Sequence, residues 1–216
     1  MISVLLATYN DEKYIKESID SVLSQTYKNL ELLIGFNGTI DSSKEIVSKI
    51  SDDRIRIFDY GLESGKAKTL NKLMQHANGE WIAIQDGDDV WAPKKLERQS
   101  IFFEDFDVIG SQILYINEFG DMIGGPKLET ENSLIKEKSL TGDNQIANTS
   151  AIFKKNCLFE MGGWNENLDG IEDFDLWLKL MRKGYKFKNL NTHEVLHRIH
   201  NKSNFNTKKF DLKKIL

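Results

Sequence analysis

Apolar positions along this chain alternate between short unbroken runs and helical spacing. Ile2-Ser3-Val4-Leu5-Leu6-Ala7 is nearly all apolar, the pattern of a strand covered on both faces. Thr8-Tyr9-Asn10-Asp11 reads as its exit loop and as the cap of the next helix. Ile15, Ile19, Val22 and Leu23 then fall on one helical face. A second apolar run, Leu30 to Phe36, ends at the turn signal Asn37-Gly38. Residues 41–50 return to helical spacing through Ile46, Val47 and Ile50, and Arg54-Ile55-Arg56-Ile57-Phe58 alternates as a strand does. Gly65 opens a helix with Ala67, Leu70, Met74 and Ala77 on one face, Gly79 closes it, and residues 80–85 form the next strand. Pro93 fits the first turn of a helix that carries Lys94, Lys95, Leu96 and Ile101.

The second half is less regular. Residues 107–116 read as a strand. Residues 117–145 have weak periodicity and many polar residues, and they read as a long excursion or flap, a kind of segment that is commonly functional. Residues 148–153 predict a strand and Gly162-Gly163-Trp164-Asn165-Glu166 a loop. Phe174, Trp177, Leu178 and Met181 mark a helix that Gly184 ends, and residues 195–200 predict a last short strand. Strand and helix alternate through the first half. That predicts an α/β fold with a mixed, mostly parallel central sheet and helices on both faces. Ligands of such sheets gather at the carboxyl ends of the strands, so the loops at 8–10, 36–39 and 86–89 are expected along one edge.

Composition narrows the class. With 216 residues, 40 % hydrophobic and 29 % charged, the chain is long enough for a substantial core. A net charge of -4 gives no basic field for nucleic acid. The single Cys157 has no disulfide partner and fits a reducing cytosol, and no paired thiols suggest zinc. The run from Ile2 to Ala7 is too short for a signal core, and no stretch approaches the ~20 apolar residues of a membrane span. A cytoplasmic protein is expected. Residues 206–216 mix lysines with apolar residues, and two readings stand for them: a solvated end, or peripheral contact with an anionic membrane face.

The chemistry concentrates where Trp81-Ile82-Ala83-Ile84-Gln85 runs into Asp86-Gly87-Asp88-Asp89. Carboxylates crowded at the end of a buried strand repel one another and need a cation among them. Mg²⁺ or Mn²⁺, bridging the carboxylates to phosphate oxygens, suits that need. A polar strand-to-helix turn is the plainer alternative. An EF-hand is excluded, because Trp91 stands where that loop needs glycine.

Several segments, in order, resemble the inverting family-2 glycosyltransferases. These are Val4-Leu5-Leu6-Ala7-Thr8-Tyr9-Asn10, Ser21-Val22-Leu23-Ser24-Gln25-Thr26-Tyr27 and Glu31-Leu32-Leu33-Ile34, then Ala77-Asn78-Gly79-Glu80-Trp81-Ile82 leading into Asp86-Gly87-Asp88-Asp89. Gly162-Gly163-Trp164-Asn165-Glu166 and Glu172-Asp173-Phe174-Asp175-Leu176-Trp177 continue the likeness. The resemblance implies a single GT-A domain over 1–216. A nucleotide-binding half would cover about 1–105, an acceptor-binding half about 106–205, and a basic tail 206–216. It implies transfer of a sugar, with inversion, from a nucleoside-diphosphate sugar to a saccharide or lipid-linked saccharide in surface-polysaccharide synthesis.

By the same resemblance Ala7, Thr8, Tyr9, Asn37, Glu63, Lys66, Asp86, Gly87 and Asp88 face the donor. Asp88, Asp89 and His200 hold the divalent ion, and Asp173 is the base with Glu172 beside it. Gly163, Trp164 and Glu166 meet the acceptor. Plainer readings stand beside these: a core tryptophan for Trp164, a surface histidine for His200, a solvated lysine for Lys66, and helix-dipole partners for Glu172 and Asp173. The dipole would lower the pKa of Asp173. Asp89, at a strand end, is expected to be replaceable without loss of fold. The chain departs from the family at Phe36-Asn37, where Asp-Asp is common, and at Glu63, where Asn is common. Asn37, helped by contact from Phe36, is the expected partner of a uracil base. Two other readings are a sugar-nucleotide nucleotidyltransferase, which would want a basic Gly-rich loop near the N-terminus, and a degenerate, non-catalytic subunit.

Overall fold

The computed structural model describes residues 1–61, 65–168, 170–201 and 212–216. Four parallel strands lie side by side in the order β3 (Ile55–Asp59), β2 (Leu30–Phe36), β1 (Ile2–Thr8) and β4 (Trp81–Asp86). The sheet continues through β8 (Ile152–Lys154), β6 (Val108–Ile116), β9 (Phe187–Arg198) and β5 (Val90–Trp91). A short β7 (Met122–Gly124) folds back on β6. β8 runs antiparallel to both its neighbours, while β6 and β9 are parallel.

Successive residues of β1 point to opposite faces, and each face meets its own core. Leu5, with Leu33, Ile82 and Ile84, packs against α3 (Lys66–Met74), α6 (Lys155–Glu160) and α7 (Glu172–Arg182). Ile2, Val4 and Leu6, with Leu32, Ile34 and Ala83, pack against α1 (Ile15–Leu23), α2 (Ser43–Ser48) and α4 (Lys95–Ser100). Burial on both faces is why these strands read as unbroken apolar runs. Register aligns Ala7 with Gly35 and Asp86, so the exit loops of β1, β2 and β4 open on one edge as expected.

The structure differs from the pattern reading in several elements. Residues 117–145 contain β7 and a helix, α5 (Asn132–Leu140), which buries little beyond Ile135 and Ser139 and so shows no clear apolar stripe. Residues 148–150 form a 3-10 turn before β8. β9 starts at Phe187, well before residue 195, because its polar positions are paired inside the sheet. On α4 burial does not follow polarity. Lys95 is fully buried and Ile101 is 72 % exposed. The Lys95 ammonium donates to Gln99 Oε1 (3.0 Å) and lies 3.9 Å from the Trp91 ring centroid, and burial pushes its pKa down to about 7. At the C-terminus, Ile215 is buried against α7, with Arg182 donating to its carbonyl (3.2 Å). Among the described residues no helix is long and apolar enough to cross a membrane.

Candidate active site

The acidic turn is fixed before any ligand arrives. Ser18 Oγ donates to the Asp86 carbonyl (2.8 Å). The Gln85 amide donates to Ser18 Oγ and to the Asp89 carbonyl (2.8 Å each), and Thr149 Oγ1 donates to Gln85 Oε1 (3.2 Å). β5 then pairs with β9, which brings the end of β9 against the turn. Gly87 is required by space, since a Cβ there would stand 2.3 Å from Asp11 Oδ2.

The three aspartates of the turn have different surroundings. Asp86 Oδ1 is 2.6 Å from Lys66 Nζ. Asp88 Oδ2 lies 3.0 Å from His200 Nε2, which joins two residues far apart in sequence. Asp89 is fully buried; its Oδ1 accepts the Arg198 backbone N–H (2.8 Å) and its Oδ2 lies 2.9 Å from His197 Nδ1. Both oxygens are thus committed within the protein. Asp89 anchors the turn to β9, which corrects the expectation that it can be replaced without cost to the fold. Burial opposes a charge on His197, but Asp89, with Asp88 and Asp86 behind it, outweighs burial and raises its pKa to about 9.

Asp11 is a site residue that the pattern did not single out. Its carbonyl accepts the Tyr14 and Ile15 amides (2.8 Å each) just before α1, whose N-cap is Tyr14 with no side-chain cap bond. Its side chain turns toward Gly87, with Oδ2 accepting from Thr8 Oγ1 (2.8 Å) and the Tyr9 amide (3.3 Å). Burial and the Asp88 charge raise its pKa to about 7, against those two hydrogen bonds. Thr8 is fully buried and acts through Asp11 instead of facing the cavity.

A cavity of about 860 Å³ opens over this turn. Ala7, Tyr9, Asn37, Asp86, Gly87 and Asp88 line it from the strand ends, and Lys66 from the start of α3. Glu172, Asp173 and His200 line it too, so the expected donor side and the expected base share one space. Burial works against the charge on Lys66, but Asp86, Glu172 and Asp173 outweigh it and hold its pKa above the ordinary lysine value. Glu172 is buried and its Oε2 accepts the Gly170 N–H (2.6 Å), which fixes the entry to α7. Burial and the neighbouring Glu172 raise the Asp173 pKa, against Lys66 and the Phe174 amide. The expectation of a lowered value is corrected: desolvation and a like charge exceed the helix dipole.

The expected acceptor residues lie elsewhere. Trp164 is 2 % exposed and packs edge-on against Phe153, with ring centroids 6.0 Å apart. Its backbone is clasped by Asn71, whose Oδ1 accepts the Trp164 N–H and whose amide donates to the Trp164 carbonyl (2.9 Å each). The Asn71 amide also donates to Glu166 Oε1 (3.0 Å), and a Cβ on Gly163 would meet Asn71 Oδ1 at 2.4 Å. Gly163, Trp164 and Glu166 therefore form a structural clasp and none lines the cavity. Its far wall is built instead from Tyr115, Pro126, Lys127 and Leu128 and from residues 143–149. The sequence pattern marked residues 117–145 as a flap of a commonly functional kind, but it did not say which of its positions face the cavity, because they meet only through the β6–β7 and β8 connections. Phe36 is 3 % exposed in the core below α2, so it has no face for a base. Glu63 lies outside the described residues.

The donor set fits a divalent ion held jointly with a ligand. Among the described residues no group of three His, Cys, Asp or Glu side chains converges as a metal cage. Asp88 and His200 do face one another, and Mg²⁺ or Mn²⁺ commonly takes one or two protein ligands and completes its shell with phosphate oxygens and water. The acids gathered around Asp11 leave negative charge there for such an ion to offset.

A parallel four-stranded half, an acidic turn at its carboxyl edge and an acid pair lining the same cavity are the features of a GT-A fold. The chain belongs to glycosyl transferase family 2, whose model matches residues 3–157, and it is a glycosyltransferase. It is 34% identical over 211 residues to the O-antigen biosynthesis glycosyltransferase WbnJ of Escherichia coli, covering 94% of this chain and 81% of that one. It is 30% identical over 204 residues to the E. coli UDP-Glc:alpha-D-GlcNAc-diphosphoundecaprenol beta-1,3-glucosyltransferase WfaP, covering 93% and 78%. The fold matches S. aureus TarS 1-349 in complex with UDP-GlcNAc, with a TM-score of 0.77, 20% identity, and 99% and 63% of the two chains covered. It also matches the Pyrobaculum calidifontis mannosyltransferase PcManGT in complex with GDP-Man and Mn2+, with a TM-score of 0.71, 19% identity, and 94% and 58% covered. The chain spans about three fifths of the length of these solved structures.

Proposed function

We infer that the protein moves a sugar from a nucleoside-diphosphate sugar to a saccharide carried on a lipid diphosphate, with inversion, in the synthesis of a surface polysaccharide. The observation that supports this is that Asp86 and Asp88 line the same cavity as Asp173 and Glu172. In that reading an acceptor hydroxyl attacks the anomeric carbon from the Asp173 side. The bond from that carbon to the diphosphate oxygen breaks, its electron pair leaves with the diphosphate, and the hydroxyl proton passes to Asp173. The raised pKa of Asp173 makes it a stronger base than an exposed carboxylate. Lys66, held by Asp86, keeps positive charge between the acid pair and the diphosphate. Asp88 and His200 would hold the divalent ion, which when bound offsets the charge of the departing diphosphate. Asn37 is the group on hand for the base, and uridine is the base we assign.

Of the three readings open from sequence, the family match supports transfer. The lipid-diphosphate acceptor is taken from the activity that gives WfaP its name, a relative matched over most of its length. The test is titration calorimetry with uridine diphosphate in Mn²⁺ and in chelator, beside transfer from a uridine-diphosphate sugar to a lipid-diphosphate-linked saccharide. Binding that weakens at least about tenfold in chelator is expected. Equal affinity in the two conditions removes the metal from the reading, and tighter binding of guanosine diphosphate removes the uridine assignment.

A further inference from the structure

The β6–β7 hairpin displays three exposed apolar side chains, beside the exposed Glu118 and Asp121, that transfer chemistry does not use. Phe119 is 82 % exposed, Met122 72 % and Ile123 54 %. The turn that displays them is tightly bonded. Asn117 Oδ1 accepts the Phe119 and Asp121 amides (2.9 Å each), and the Asn117 amide donates to Asp121 Oδ2 (3.0 Å). Arg198 donates to the Asn117 carbonyl (3.3 Å), and the Ile199 amide donates to the Ile116 carbonyl (2.8 Å). The hairpin is therefore braced against the strand that bears His197.

The area of this hairpin tip and its place beside the cavity indicate what covers it. Three side chains of this kind offer roughly 300–400 Å² of apolar surface. A stable contact between protein copies takes about 800 Å² from each partner, so a second copy is a poor fit. Tyr115 at the hairpin base lines the cavity and pairs with Gly124, and Pro126, Lys127 and Leu128 rejoin the cavity wall just beyond β7. At about 3.3 Å per strand residue the tip stands only about 10–15 Å from that wall. Moving inward, the chain presents an apolar tip, then the exposed Lys127, then the cavity. A lipid-diphosphate saccharide presents an apolar chain, a diphosphate and a sugar in the same order.

We propose that the β6–β7 hairpin docks on a lipid bilayer, seating Phe119, Met122 and Ile123 among the acyl chains so that the cavity opens at the headgroup layer beside Lys127. The proposal rests on the lipid-linked acceptor assigned above. It differs from attraction through the lysines of residues 206–216, which salt would screen.

The experiment is flotation of the protein with neutral phosphatidylcholine vesicles at high salt. The protein floats, and Phe119→Ser/Met122→Ser/Ile123→Ser lowers the vesicle-bound fraction at least about tenfold, as expected when three apolar side chains lose their burial. That variant keeps its melting temperature and its transfer to a water-soluble saccharide acceptor, because the three side chains are exposed. As a second measurement, Phe119→Trp gains fluorescence quenching by brominated lipid above that of the unaltered protein. Equal flotation of variant and parent, flotation of neither, or a dimer in solution that the triple variant abolishes overturns the proposal. A protein that floats but transfers to no acceptor overturns the functional reading alone. One that transfers to the soluble acceptor and does not float overturns docking alone.

Discussion

Asp88 and Asp89 are neighbours in sequence, yet the structure gives them separate tasks. Asp88 faces His200 at the cavity, while Asp89 is spent on His197 and the Arg198 amide. Asp88→Asn should remove the Mn²⁺-dependent part of nucleotide binding and leave the melting curve near the parent's. Asp89→Ala should destabilise by about 3–5 kcal/mol, the range for breaking a buried pair. Thermal melts of the two variants check this, and equal melting temperatures would return Asp89 to the metal side. The pH dependence has a definite sign. The folded pKa of His197 is about 9, above its ordinary 6.5. Its stabilising contribution is full below about 6.5 and fades as pH rises through about 9. Asp89→Ala should therefore cost less stability at pH values above that window than at pH 6, as melts across the range would show.

Asp173 carries the second residue-scale prediction. Asp173→Asn keeps the shape and removes the proton acceptor, so single-turnover transfer should fall by roughly 10²–10⁴-fold with donor affinity unchanged. Because burial and Glu172 raise its pKa, the parent's rate should fall on acidification at a pH above the ordinary carboxylate range. A limb near pH ~4, as for an exposed aspartate, would count against the assignment.

At the scale of elements, the clasp between α3 and the loop before α7 replaces an expected acceptor platform. Asn71 makes three hydrogen bonds to the crossing loop, two with the Trp164 backbone and one with Glu166, and it stands so close to Gly163 that a Cβ there would collide with it. Asn71→Ala should cost about 1–3 kcal/mol, because it leaves Trp164 backbone groups without partners. Acceptor KM should stay within about twofold, since no member of the clasp lines the cavity. A large rise in acceptor KM with stability intact would restore the platform. The elements were unevenly legible for a related reason. β1, β2 and β4 are buried by their own apolar runs, whereas the first half of β9 is polar and belongs to the sheet only because β6 pairs with it. On α4, Lys95 is buried because the Trp91 indole and the Gln99 amide one turn along the same helix receive its ammonium.

Across the whole molecule, the sheet divides two cores, and the cavity forms where the parallel strands end against the flap and α7. The sequence by itself determined the α/β class, the parallel half, its functional edge, the acidic turn and the acid pair of α7. Those features rest on spacing of neighbouring residues, which a linear pattern contains. Only the tertiary structure decided that Asp89 is an anchor, that Asp11 faces Gly87, that Trp164 belongs to the core and that residues 126–128 and 143–149 wall the cavity. It also decided the direction of the Asp173 shift. Each of these depends on which groups from distant segments desolvate or charge one another, and that is settled by packing and not by position along the chain.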